Sequence, residues 1–178
     1  MAETLGRSLA DVKPLFETYH KMLPFIKRTY SDVSNAAAER GHIVTILGRR
    51  RRFNDWELAG WGERGAAYPG KELAQAAYPG KNVRRAFTHK ALNALLQGSA
   101  ADLMKKAMVQ LWESGLCSVT GLGAPLLTVH DELDLSVPPG RERLLRDVQY
   151  IMENCIPLRV PVRADLEVGP HWGACVKM

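Results

Sequence analysis

The stretch Leu127-Thr-Val-His-Asp-Glu-Leu133 decides how this chain is interpreted. Its pattern predicts a hairpin of two short strands, Leu126–His130 and Leu133–Val137, joined by a tight turn. In the second strand, apolar residues alternate with Asp134 and Ser136. Such alternation is typical of a strand that is buried on one face. We therefore expect the hairpin to lie against a hydrophobic core.

The tip of this hairpin carries two adjacent acids, Asp131 and Glu132, after His130. A two-residue turn needs positive φ angles and favours Asn-Gly or Gly-X, so Asp-Glu is a poor choice for folding alone. Unfavourable turn chemistry is expected where function holds a position. Adjacent carboxylates on a rigid strand end suit a hard cation such as Mg²⁺. A solvated acidic turn explains the same residues without a metal.

Upstream of the hairpin, residues 84–113 follow a helical pattern, and a glycine-rich connection spans 114–125. Within that helix His89, Asn93 and Gln97 are spaced four residues apart. Each step of four drifts only about 40° around a helix, so the three side chains share one stripe. Neutral donors in such a stripe can contact the acceptors that every base pair presents in the minor groove. A solvated helix face is the alternative.

The N-terminal part begins with a helical pattern from about residue 8 to 40, which Pro24 interrupts and Gly41 ends. A short strand, His42–Leu47, and a basic run follow. Residues 54–82 hold two copies of Ala-Ala-Tyr-Pro-Gly-Lys, at 66–71 and 76–81, and are interpreted as a loop insertion with two Pro-Gly turns.

After the hairpin, the pattern predicts a helix over 141–154 and a last strand over 160–168. The whole order favours an α+β fold, an antiparallel sheet with helices on one face.

Composition narrows the classes of function. The 178 residues carry a net charge of +5, which suggests a polyanionic partner. The three cysteines form no CxxC pattern, and a reduced, cytosolic compartment fits them best. No apolar run approaches the roughly 20 residues that span a membrane, and the N-terminus lacks a signal-peptide core. HExxH, GxSxG and P-loop motifs are absent, which disfavours a hydrolase.

Four blocks of the sequence resemble family A DNA polymerases, the polymerase I-like enzymes, in the family's order. Residues 127–133 resemble motif C, and 85–108 resemble the helix that precedes it. Residues 41–51 resemble the segment after the fingers helix, and Leu166-Glu-Val-Gly-Pro-His-Trp172 resembles the C-terminal ending. His89 and the Gly-Pro-His-Trp ending are more similar to bacteriophage replicases than to bacterial repair enzymes.

The resemblance implies an antiparallel palm-type sheet in which the motif C hairpin packs on helices. It implies three parts: fingers-derived helices and a strand (1–53), the loop insertion (54–83) and the C-terminal half of the palm (84–178).

The resemblance also implies Mg²⁺-dependent, templated nucleotidyl transfer on primer-template DNA with a dNTP. Asp131 would be a metal ligand, Glu132 an accessory carboxylate, and His130 would lie near the primer terminus. Asn93 and Gln97 match residues that the family uses to test base-pair shape in the minor groove. His89 stands where bacterial enzymes often have Arg, so the resemblance implies its minor-groove contact less directly.

Several basic and aromatic residues are candidates for further DNA contacts, with a solvated basic face as the alternative. The basic candidates are Arg49, Arg50, Arg51, Arg52, Arg84 and Arg85. Trp56, Trp61 and Trp172 can stack on bases, although core packing is the preferred expectation for Trp172.

The resemblance leaves two elements unmatched: the aspartate of motif A and the fingers helix. We therefore expect the C-terminal piece of a split polymerase, completed by a second polypeptide, or a remnant, in the cytoplasm of a bacterium or a phage-infected host. The chain alone is expected not to polymerise. The alternatives are a non-catalytic DNA-binding module and an assembly subunit with an exposed apolar surface.

Overall fold

The computed structural model describes residue 6, residues 8–60 and residues 65–178. The chain forms two compact units, Met1–Leu96 and Gln97–Met178, each with its own helices and small antiparallel sheets. The α+β class predicted from the sequence is confirmed. No helix in the described ranges is long and apolar enough to cross a membrane.

Unit 1 begins with two helices, α1 (Leu9–Met22) and α2 (Pro24–Arg40). Pro24 occupies the first position of α2, where its missing N–H costs nothing, and this separates the two helices as predicted. Gly41 ends α2 in the left-handed conformation, with φ of 73°, and its N–H donates to the carbonyl oxygen of Ala37. Glycine is favoured here because it has no Cβ to strain this conformation.

A hairpin follows α2 in unit 1. Strand β1 (His42–Val44) pairs antiparallel with β2 (Arg50–Arg52), so the predicted strand is shorter than expected. The core beneath it is formed by apolar side chains of α2, the hairpin and the segment after residue 90. Its buried members are Ala37, Ile43, Phe53 and Ala91, with Val33, Ala94 and Leu95 packed against them.

The prediction of a loop over residues 54–83 is wrong. This segment contains β3 (Asp55–Leu58), β4 (Tyr68–Pro69) and α3 (Lys71–Ala77), and β5 (Val83–Arg85) follows. The strands form a three-stranded sheet in the order β4-β3-β5. The boundaries drawn at 53 and 83 do not mark the compact units, and the assignment of parts to fingers and palm stays a prediction.

The two copies of the repeated hexapeptide contact each other in this part of unit 1. Rings of Tyr68 and Tyr78, one from each copy, meet edge to face with centroids 5.6 Å apart. The Tyr78 hydroxyl also donates to the carbonyl oxygen of Ala66 at 3.0 Å. These contacts join residues ten or more positions apart, so they do not follow from local sequence pattern.

The long helix α4 (Ala91–Glu113) begins later than predicted. Residues 83–85 belong to β5, and a 3₁₀ turn, Thr88–Lys90, leads into the helix. Phe87 between them has a φ of 61°, which breaks any helix that would start at Arg84.

Unit 2 contains the hairpin β6 (Leu127–Val129) and β7 (Glu132–Asp134), helix α5 (Leu145–Asn154), and the short pair β8 (Glu167–Val168) and β9 (Val176–Lys177). The predicted strand over 160–168 is wrong except at its end, because only Glu167 and Val168 find a partner strand.

The core of unit 2 lies between the end of α4, the glycine-rich turns and α5. Its buried members are Leu111, Cys117, Leu122, Leu145 and Val148. Leu133, Leu135 and Val137 pack against this cluster, as predicted. The strand predicted to reach Val137 is shorter, because β7 ends at Asp134.

Candidate functional site

The turn between β6 and β7 presents the predicted metal ligands. Val129 pairs with Glu132, so the two turn residues are His130 and Asp131 rather than Asp131 and Glu132. His130 takes the positive φ, 53°, that such a turn requires. A residue other than glycine in this region is strained by about 1–3 kcal/mol and persists only where its surroundings hold it. The expected local strain is present, but on the histidine.

The two carboxylates stand next to each other at this tip. Asp131 is the second turn residue and Glu132 the first residue of β7, and both are exposed, as is His130. They offer hard oxygen donors that an ion can reach from solvent, the donor type that Mg²⁺ prefers. No group of three or more His, Cys, Asp or Glu side chains assembles in the described part of the chain.

The two strands that carry the tip are supported unequally. Leu133 on β7 packs against the core of unit 2, and the Leu126 N–H extends the ladder to the Asp134 carbonyl oxygen at 2.9 Å. On the other strand, Leu127 is 51% exposed, and Leu126 before it is 71% exposed. The core therefore holds the tip through β7.

The predicted minor-groove stripe is exposed at all three positions. Asn93 and Gln97 lie one turn apart on α4. His89 does not lie on that helix as predicted; it belongs to the 3₁₀ turn before it. Its position relative to the other two therefore follows the tighter geometry of a 3₁₀ turn.

Arg85, predicted to bind DNA, is held inside unit 1. Its Nε donates to the carbonyl oxygen of Ala38 at 3.1 Å and its Nη1 to that of Phe53 at 3.0 Å. The guanidinium also lies 4.8 Å from the centroid of the Trp56 ring. These contacts join the end of α2 to β3 and to the residue after β2. A structural role is what the geometry establishes, and the phosphate contact stays a prediction.

Arg84 points elsewhere. Its Nε and Nη2 both lie 3.1 Å from Oε1 of Glu57 on the neighbouring strand β3. The Arg84 side chain is 58% exposed and that of Glu57 is 26% exposed, so solvent screens the pair in part and its contribution to stability is modest.

The basic run lies on the β1–β2 hairpin. Arg50, Arg51 and Arg52 form β2 and are exposed, with the Arg51 guanidinium 5.8 Å from the centroid of the Phe53 ring. Arg49 precedes the strand, and its backbone N–H donates to Oγ1 of Thr45 at 3.1 Å. The run therefore presents cationic side chains to solvent from a fixed backbone.

Two of the three tryptophans that were candidates for base stacking lie in the described residues. The Trp56 ring lies near two cations, Lys71 Nζ at 5.6 Å and Arg85 Cζ at 4.8 Å. Trp172 was expected in the core, but it is 73% exposed in a 3₁₀ turn. Trp61 lies outside the described residues.

Comparison with known proteins assigns the family. The profile of DNA polymerase family A matches residues 1–174. The chain is 32% identical over 173 residues to DNA polymerase I of Bacillus caldotenax, covering 97% of this chain and 17% of that protein. It is 33% identical over 159 residues to a DNA-directed DNA polymerase of Pseudomonas phage M6, covering 89% and 19%.

A solved structure agrees with this assignment. The polymerase domain of Pol1 from M. smegmatis, in complex with DNA primer-template and dNTP, matches with a TM-score of 0.66 and 32% identity, over 90% of this chain and 25% of that one. The chain belongs to DNA polymerase family A. It spans less than a fifth of the length of the curated relatives described above.

Proposed function

We propose that this chain supplies the motif C hairpin of a DNA-directed DNA polymerase that carries out Mg²⁺-dependent, templated nucleotidyl transfer in DNA replication. One observation carries the proposal. In a chain of family A, a tight turn with strained His130 presents two adjacent, exposed carboxylates from a strand fixed to the core. Strain of this kind at a turn is typical of positions that function holds.

The residues of the tip fit the metal. Asp131 would be a ligand, Glu132 an accessory carboxylate, and His130 would lie near the primer terminus. Bound Mg²⁺ would stabilise charge on the transferring phosphoryl group and lower the pKa of the attacking hydroxyl. The protein's own contribution is to hold the Asp131 carboxylate on a two-residue turn, whose short length limits its movement.

Two sets of side chains would contact the DNA. His89, Asn93 and Gln97 would donate hydrogen bonds to minor-groove acceptors, which every base pair presents. Arg49, Arg50 and Arg51 would contact backbone phosphates, a sequence-independent interaction. The incoming dNTP would be selected by base pairing with the template.

A further carboxylate is expected to complete the metal site. Two neighbouring acids on one turn approach an ion from one side, whereas two-metal catalysis needs ligands on both sides of the cleft. We propose that the opposing carboxylate comes from outside these 178 residues, in a longer polypeptide or in a second one.

Primer extension with Mg²⁺ and dNTPs tests the proposal. The chain should not extend a primer alone and should do so when combined with the remaining part of a family A polymerase domain. Asp131→Asn should lower that activity at least about 100-fold. Substitution of residues that only hydrogen-bond to metal ligands already lowers metal affinity or activity about 10–100-fold. Asp134→Asn, on the same hairpin, is the matched control and should leave it within about twofold. Equal effects of the two substitutions would contradict the role of Asp131, and robust synthesis by the chain alone would contradict the need for an added carboxylate.

An assembly function is the second candidate. Leu126 and Leu127, beside a cleft of about 630 Å³ in unit 2, are largely exposed, as is Trp172 on its lining. Exposed apolar surface of this kind favours contact with another protein surface. If assembly were the only role, Asp131→Asn would leave function unchanged, which the same experiment decides.

A further inference from the structure

A cleft in unit 1 combines cationic side chains with one strained aromatic ring. Its volume is about 420 Å³, within the range of small-ligand sites. It is lined by Arg50, Arg51, Arg52, Phe53, Asn54, Asp55, Ala86 and Phe87. We propose that this cleft holds an unpaired nucleotide of single-stranded DNA, with the base stacked on Phe87 and its phosphates on Arg50 and Arg52. The inference rests on the proposed function for the identity of its polyanion.

The conformation and exposure of Phe87 support a base-stacking site. Its φ of 61° is unusual for a bulky residue, yet its side chain remains 40% exposed. A strained residue whose side chain is buried would be explained by the core, but this ring lines an open cleft. Backbone strain at a residue whose side chain is not buried in the core is typical of functional sites.

The positive charge of the cleft supports phosphate binding. Arg50 and Arg52 are exposed and, as alternate residues of β2, they point to the same face of the hairpin. Lys90 places its Nζ over one face of the Phe87 ring, 5.1 Å from the ring centroid, so a base would stack on the opposite face. Asp55 is the single acid of the lining. The balance is strongly cationic and matches a phosphate backbone.

The aromatic ring decides between paired and unpaired DNA. In a duplex the faces of each base are covered by its neighbours, so a side chain reaches only base edges and phosphates. An unpaired base offers its face, and stacking on an aromatic residue next to cationic groups is how single strands are bound without regard to sequence. The cleft therefore fits the unpaired strand beside a primer-template junction.

Fluorescence anisotropy with a labelled oligothymidylate of about twelve nucleotides tests the stacking contact. Phe87→Ala should weaken binding about tenfold, and Phe87→Trp should restore it, because indole stacks at least as well. Tyr30→Ala, which removes an aromatic ring of similar exposure on α2, should leave binding unchanged. Thermal unfolding of each variant shows whether the fold is kept. Equal binding by Phe87→Ala and the unchanged chain would overturn the proposal.

The salt dependence of the same binding tests the arginines. Loss of two phosphate contacts on a single strand should lower the slope of log K against log salt by about 1.4. The double variant Arg50→Ala/Arg52→Ala should show this change. Lys21→Ala/Arg28→Ala removes the same charge from α1 and α2 and should leave the slope unchanged. Equal slopes for the two double variants would show that only net charge matters and would overturn the site.

A blunt duplex probe separates this inference from the proposed function. Phe87→Ala should bind the duplex as the unchanged chain does. If it loses affinity for duplex and single strand equally, the cleft is not selective for unpaired DNA and the inference fails. If the chain binds duplex but Phe87→Ala changes nothing, the cleft fails while the proposed function stands. Binding to neither probe would contradict both.

Discussion

The Nη1 atom of Arg85 donates a hydrogen bond to the carbonyl oxygen of Phe53 at 3.0 Å. The same guanidinium bonds the carbonyl oxygen of Ala38, near the C-terminus of α2, where a cation is favoured by the helix dipole. One side chain therefore satisfies carbonyl groups from two elements of unit 1.

Arg85→Ala is expected to destabilise unit 1 by about 2–4 kcal/mol, because hydrogen bonds to a charged group contribute about 1.5–3 kcal/mol each and part of that is recovered by water. Arg84→Ala removes a neighbouring arginine whose ion pair with Glu57 is partly exposed, and it should cost less than about 1 kcal/mol. Urea denaturation followed by circular dichroism measures both. Equal losses would show that the contacts of Arg85 are not important for stability.

Gly41→Ala is expected to destabilise the same region for two reasons. The φ of 73° is strained for alanine by about 1–2 kcal/mol, and the new Cβ would lie 2.7 Å from Cζ of Arg85. Gly48→Ala has a similar φ, 88°, but nothing within 4 Å of its Cβ, so it measures the strain alone.

The two positions should also be coupled. In a double-mutant cycle, Gly41→Ala should cost less in an Arg85→Ala background, because the collision is gone. Additive free energies of unfolding would contradict the close packing of Gly41 on the guanidinium.

Tyr78 gives unit 1 a pH-dependent contribution. Partial burial, and next the neighbouring Tyr68, raise the pKa of the Tyr78 hydroxyl above its ordinary value of 10.0. The folded state thus holds this proton more tightly than the unfolded state. The contribution is present below about pH 10 and is lost as the pH rises through the pKa of the folded state.

Tyr78→Phe should therefore flatten the fall of stability above about pH 10, while it lowers stability at neutral pH through loss of the bond to Ala66. Denaturation midpoints between pH 7 and about pH 11 measure the effect. Tyr150→Phe, at an exposed position of α5, removes the same hydroxyl group elsewhere and is the control. An unaltered slope for Tyr78→Phe would refute the raised pKa.

His130 at the hairpin tip should tolerate only residues that accept positive φ. His130→Val is expected to lower stability by about 1–2 kcal/mol, because β-branched residues strain strongly at a φ of 53°. His130→Asn should keep stability near that of the unchanged chain, since asparagine adopts this conformation readily. Thermal unfolding compares the two. If both variants were equally stable, the turn would not need the left-handed conformation.

The hairpin and the apolar residues that anchor it were predictable because these residues alternate with Asp134 and Ser136, although β7 itself ends at Asp134. Leu133, Leu135 and Val137 lie on the core as expected. The strained position was misplaced by one residue, since the turn is fixed by the pairing of Val129 with Glu132, and pairing cannot be derived from composition.

The contacts of Arg84 and Arg85 could not be predicted from local sequence pattern. Assigned to a helix, Arg84 and Arg85 both looked like phosphate ligands. In strand β5 they point to opposite faces, so one meets Glu57 and the other meets backbone carbonyls. The pairing of β5 with β3 that creates this difference spans some 27 residues of chain.

The repeated hexapeptide Ala-Ala-Tyr-Pro-Gly-Lys adopts two different backbones in one molecule. In the first copy, Tyr68 and Pro69 form β4 and Lys71 begins α3. In the second, Ala76 and Ala77 end α3, and the chain turns after Tyr78. The conformation of these identical residues is thus determined by the elements that surround each copy. As the two tyrosines contact each other, a deletion of either copy would remove one of the two rings from this contact.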